Sequence, residues 1–79
     1  MKPRLLILAR DYNTAMKWAV KEKISPGYWV YVSSWHNING NPDSEYVMLE
    51  GWELRGDSDV LREMLKMNSC KEKIMGSSE

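Results

Sequence analysis

The first apolar stretch of the chain, Leu5-Leu6-Ile7-Leu8-Ala9, is not interrupted by polar residues. That is the pattern of a strand covered on both faces, as the central strands of parallel sheets are. Asp11, Asn13 and Thr14 follow and offer cap-type side chains for the unpaired amides of a helix start. Ala15, Met16, Ala19 and Val20 then recur at three- and four-residue steps, with Lys17, Lys21 and Glu22 between them, which predicts an amphipathic helix. Ser25-Pro26-Gly27 ends it, because proline removes a donor and disfavours the helical conformation in the residue before it.

Tyr28 to Val32 is aromatic and β-branched, the signature of a second strand. Residues 33–45 hold Gly40, Pro42 and several Asn and Ser, and read as a long loop. Tyr46 to Leu49 forms a third strand. Val60, Leu61, Met64 and Leu65 set the apolar stripe of a closing helix whose start is capped by Asp57 or Ser58. After Met67 the periodicity dissolves.

The predicted order is strand, helix, strand, loop, strand, helix. A right-handed crossover sets the second strand beside the first, and a return past the first gives sheet order 2-1-3. The fold class is therefore α/β, with a three-stranded parallel sheet and two helices. Residues 1–67 form one domain, and residues 68–79 a flexible C-terminal tail. The competing pairing joins the second and third strands as a hairpin through Asn39 to Ser44, a mixed α+β fold; the length of that connection and the apolar character of both strands favour the parallel version. Two helices cover one face of such a sheet well or both faces poorly, which leaves apolar surface for another molecule.

Composition narrows the function classes. With 43% hydrophobic and 28% charged residues the chain belongs with folded domains rather than disordered segments. Eleven basic residues balance eleven acidic ones, so no overall field attracts nucleic acid or an anionic membrane. The balance hides a polarity: residues 1–36 carry six bases against two acids, and residues 37–79 five bases against nine acids. The two halves either attract each other in the fold or present an acidic surface to a partner. A single cysteine, Cys70, fits a reducing compartment. The apolar run before Arg10 is shorter than the roughly 7–15 residues of a secretory signal, and no stretch reaches the roughly 20 of a membrane span, so the expected location is cytoplasmic.

Catalytic and cofactor motifs are weak. Ligands of open α/β sheets sit beyond the carboxyl ends of the strands, but the first such end, Arg10 to Thr14, lacks the glycines that let backbone amides cradle a phosphate. Ser33, Ser34 and His36 with Asp11 or Glu50 make a triad only on paper, since no nucleophile-elbow motif surrounds either serine. Glu50, Glu53, Asp57 and Asp59 cluster without the spacing of a calcium loop. Neither catalytic residues, cofactor nor metal are expected. Four tryptophans and four tyrosines without a phenylalanine mean that every aromatic ring carries a polar handle, as at binding surfaces. Trp35 and Trp52, near strand ends, are the expected anchors.

The run from Leu5 to Ala9, the first helix, Gly27 to Val32, Gly40, and Tyr46 to Trp52 resembles small Rossmann-like or truncated P-loop-like accessory proteins of actinobacterial bacteriophages. Where those have a short Leu-Arg-Gly segment before the third strand, this chain has Ile38-Asn39-Gly40 and a longer polar insertion. The resemblance implies order 2-1-3 without catalytic loops, and a protein that binds host proteins.

The leading expectation is a small non-enzymatic interaction protein that docks on a partner protein through Trp35, His36, Ile38, Trp52, Glu50 and Glu53 at the sheet rim. The alternatives are a minimal nucleotide- or metal-binding remnant acting at the strand ends through Arg10, Asp11, His36 and Glu50, and a self-associating structural protein.

Overall fold

A computed structural model describes residues 4–73. Strands β1 (Leu5–Leu8), β2 (Trp29–Tyr31), β3 (Glu45–Met48) and β4 (Lys71–Glu72) form one sheet in the order β2-β1-β3-β4. All three pairings are parallel, with Leu6 opposite both Val30 and Tyr46 in register. The connections carry helices α1 (Tyr12–Lys21), α2 (Trp35–Asn39) and α3 (Ser58–Met67). The parallel arrangement and the order of the first three strands agree with the sequence pattern, and the hairpin pairing does not occur.

Because β1 alternates side chains between faces, it feeds two cores. Leu6 and Leu8 pack with Val32, Ile38, Trp52, Leu61 and Leu65 under α2 and α3. Ile7 and Ala9 pack with Val47 and with Ala15 and Ala19 of α1 on the other face. Residues 6–9 are fully buried, as a central strand requires. Three helices, rather than two, clad both faces of the sheet.

The third helix arises where a loop was expected. Ser34 is extended, and the Asn37 side-chain oxygen accepts from the amides of Ser33 (2.9 Å) and Ser34 (3.2 Å) and from the Ser33 hydroxyl (3.0 Å). This reproduces half of a capping box with Asn in place of Glu or Gln. Ile38, the one aliphatic residue of the segment, is then drawn fully into the core.

The expected tail begins with structure as well. At the end of α3, Ser69 adopts φ 58° and donates to Lys66 O, while Cys70 donates to Leu65 O at 3.0 Å. That pair of bonds satisfies the last carbonyls and turns the chain directly into β4. Lys71 donates to Ser44 O and Lys73 to Tyr46 O. The rest of the expected tail, residues 74–79, lies outside the described residues.

The same device ends α1. Lys23, at φ 60°, donates to Val20 O, and Ile24 donates to Ala19 O. The helix stops at Lys21, before Ser25-Pro26-Gly27 can act on it.

Candidate functional site

The carboxyl ends of β1, β2 and β3 define one rim of the molecule, and the segments leaving β1 and β3 pass to opposite faces. Such a divergence opens a crevice between the two strands, the usual binding position in open parallel sheets.

The chain fills the neighbouring part of this rim with its own guanidinium. After β3, Gly51 at φ 93° turns the backbone into a 3-10 turn, Trp52–Leu54, which inserts Trp52 into the core. Arg55 emerges extended, its side chain only 11% exposed, beneath the ends of β1 and β2. One terminal nitrogen donates to Val32 O (2.6 Å), Ala9 O (3.2 Å) and the Tyr31 hydroxyl (3.4 Å), and the other to Ser33 O (2.8 Å). Asp57 holds the guanidinium by two bonds of 3.0 Å, and the Tyr31 ring lies 5.6 Å from its centre. This forked donor is the geometry only arginine provides. Asp57 was expected to cap α3; its carboxylate makes no cap bond there and serves Arg55 instead.

Two further acidic side chains at the strand ends, Asp11 and Glu53, are engaged within the chain. Asp11 caps α1 by accepting from the Thr14 amide and hydroxyl, both at 2.8 Å. The Thr14 amide bond, then the hydroxyl bond, hold the Asp11 carboxyl below its ordinary pKa. A carboxyl depressed in the folded state stabilises the fold above its unfolded pKa, and that contribution disappears as pH falls through the lower folded value. Acidification should therefore cost the wild type more stability than Asp11→Asn, measured as the shift in urea midpoint between neutral pH and about pH 2. Equal shifts would assign the cap no role. Glu53 accepts from the Gly51 amide at 3.1 Å.

Beside this stitched crest an open cleft of about 540 Å³ lies between α1 and the segment after β3. Trp18, Leu49 and Leu54 supply its apolar surface, Arg10 and Glu50 its charges, and Thr14 and Gly51 the rest of its lining. The Arg10 stem passes 3.7 Å from where a Gly51 Cβ would stand, so it is the left-handed φ, not crowding, that requires glycine.

The six residues expected to form a docking surface divide. Glu50 and Glu53 are exposed at the cleft end of the rim. Trp35, 41% exposed, and His36 form an edge-to-face pair, 3.9 Å between ring centroids, where β2 leaves the sheet. Ile38 and Trp52 do not belong: both are core residues, and the Trp52 ring is additionally faced by the Arg62 guanidinium at 5.1 Å. Proximity to a strand end suggested a wet ring; the 3-10 turn instead swings it inward.

The candidate chemistry disperses. Ser33 donates to Asn37, His36 packs edge-to-face with Trp35, and neither serine is hydrogen-bonded to the imidazole. Among the described residues no three His, Cys, Asp or Glu side chains converge in a metal-binding arrangement. Burial pushes the Cys70 thiol above its ordinary pKa, the opposite of what a nucleophile needs. No described helix is long and apolar enough to cross a membrane. The three ion pairs among the described residues, Arg10 with Asp11, Arg55 with Asp57 and Lys73 with Glu45, each lie within one half of the sequence, so they leave the charge polarity between the halves in place.

Sequence reasoning missed Arg55, whose acceptors lie 46, 23 and 22 residues away along the chain. Its one local signal was the two-residue spacing to Asp57. Comparison with family models, with curated proteins and with solved structures finds no match to the chain.

Proposed function

We propose that this domain is a non-enzymatic interaction module that binds a protein partner along the carboxyl-end rim, seating an apolar side chain of the partner in the cleft between β1 and β3. The observation that carries the reading is the state of the rim. Its carbonyls are taken by Arg55 and the start of α1 by Asp11. The backbone carbonyls at the ends of β1 and β2 and the carboxylate at the start of α1 are thus engaged within the chain.

What stays open is an apolar surface from Trp18, Leu49 and Leu54, flanked by one cation, Arg10, and one anion, Glu50. Leu54, 76% exposed, joins the half-buried Trp18 and Leu49 in one apolar lining rather than standing alone on the surface. A peptide segment with an apolar anchor and charges on either side complements this arrangement. Glu53 and the Trp35–His36 pair extend the same rim and give a larger partner a second place of contact. The resemblance to phage accessory proteins would make that partner a host protein.

A random peptide library panned against the full chain tests the reading. Binders should carry an apolar residue near opposite charges, and Leu54→Asp or Arg10→Glu should weaken them about tenfold or more, as loss of a central anchor does. Trp35→Ala should affect only binders long enough to cross the crest. Binders indifferent to Leu54→Asp and Arg10→Glu would remove the cleft from the proposal. A rise in melting temperature with nucleotides or divalent ions would favour the ligand-binding remnant instead.

A further inference from the structure

The opposite flank of α1 carries a second unpartnered surface. Tyr12, Met16 and Val20 follow one another at four-residue steps and so form a continuous stripe along the helix. They are 54%, 37% and 70% exposed. The Tyr12 ring lies 5.9 Å from those of both Trp29 and Tyr31, so the stripe runs beside β2. Thr14 and Trp18, which line the cleft, occupy the other flank of the same helix.

β2 is an edge strand of the sheet. Val32 donates to Ile7 O, so by alternation the backbone groups of Val30 also face β1, and those of Trp29 and Tyr31 face the open edge. Natural edges are protected by shortness, proline or charges, and β2, three residues long, follows a turn that begins at Pro26. Here the twelve residues from Ile24 to Trp35 contain no Asp, Glu, Lys or Arg.

We propose that this edge and stripe are a homodimer interface, occupied by a second copy of the chain. A two-fold axis perpendicular to the sheet, passing beside Val30, sets β2 antiparallel to its copy. Trp29 of each molecule then exchanges both backbone bonds with Tyr31 of the other, and the two sheets become one of eight strands. The same axis keeps both α1 helices on one face and brings their Tyr12-Met16-Val20 stripes together. The uncharged edge strand admits this occupant: an isologous contact places each residue near its own kind, which a charged strand would not tolerate, and Lys17 and Lys21, exposed on the outer side of α1, lie outside the Tyr12-Met16-Val20 stripe. A basic or acidic partner would find nothing on this edge to pair with.

Sedimentation of the full chain over about 10 µM to 1 mM should show the mass rising from 9.2 kDa toward twice that value. Met16→Glu/Val20→Glu, two exposed positions, should keep the circular dichroism of the wild type and weaken the dimer about tenfold or more. Amide exchange at Trp29 and Tyr31 should slow with concentration, while Val32, already bonded to Ile7, stays protected throughout. A chain that remains at 9.2 kDa, a dimer unmoved by the double glutamate variant, or Trp29 and Tyr31 amides indifferent to concentration would each overturn the proposal. Leu54→Asp, on the cleft side, should leave the dimer intact, so the two surfaces fail or succeed separately.

Discussion

Arg55→Met should lower the unfolding free energy by about 3 kcal/mol or more, because it strands several strand-end carbonyls at once. The guanidinium is 11% exposed and joins Ala9, Val32 and Ser33 across the ends of β1 and β2. Methionine fills similar volume but donates nothing, and water reaches the exposed Ser33 carbonyl more easily than those of Ala9 and Val32, both fully buried residues. For a domain of this length the loss corresponds to a fall of about 12–24 °C in melting temperature. Arg55→Lys should recover only part of it, since an ammonium cannot reproduce the fork. Asp57→Asn should cost less, because Asp57 is 39% exposed and its charge remains partly solvated. Thermal melts of the three variants check the ranking. An Arg55→Met melt within a degree or two of wild type would mean that the crest is not held by this residue.

Trp52→Ala should be as damaging, at about 3–5 kcal/mol, the range for emptying a buried large aromatic position. A domain of this length has a total stability of about 4–12 kcal/mol, so the loss removes from about a quarter to all of it. Trp52→Phe should retain the fold with a smaller loss. Trp35→Ala should shift stability by about 0.5 kcal/mol or less, since its ring is 41% exposed and pairs with the exposed His36. Near-ultraviolet circular dichroism and urea titration separate the cases. This contrast matters for any binding assay. A partner lost with Trp52→Ala reports unfolding, whereas a partner lost with Trp35→Ala, in a folded protein, reports contact. Stability unchanged by Trp52→Ala would contradict the burial of its ring.

Much of the sheet was legible because its information is local. The unbroken apolar run at residues 5–9 marked the central strand, and the stripes Ala15, Met16, Ala19, Val20 and Val60, Leu61, Met64, Leu65 marked α1 and α3. Of these, Ala15, Ala19, Leu61 and Leu65 turn inward while Met16, Val20 and Val60 are exposed. The short helix α2 was not, because Asn37 is itself a loop-forming residue and acts as a cap only once Ile38 has a core to enter. β4 escaped for a related reason: Lys71 and Glu72 have exposed side chains, and their strand character comes from the Ser44 and Tyr46 carbonyls beside them.

For the candidate site the balance is less favourable. The exposed positions Trp35, His36, Glu50 and Glu53 follow from polarity and nearness to strand ends, and so did the expectation for Ile38 and Trp52, which proved to be core. The two cases share the same local sequence signals. What separates them is the left-handed turn at Gly51, which rotates Trp52 under α3, and the extension of Arg55 toward carbonyls contributed by two other strands.

The sequence by itself determined that this chain builds a parallel α/β sheet around residues 5–9, since strand and helix periodicity are written in neighbours a few residues apart. Only the tertiary structure decided that Arg55 closes the strand ends and that the cleft opens beside it. Each of these depends on groups brought together from more than twenty residues apart along the chain, where no local pattern records the meeting.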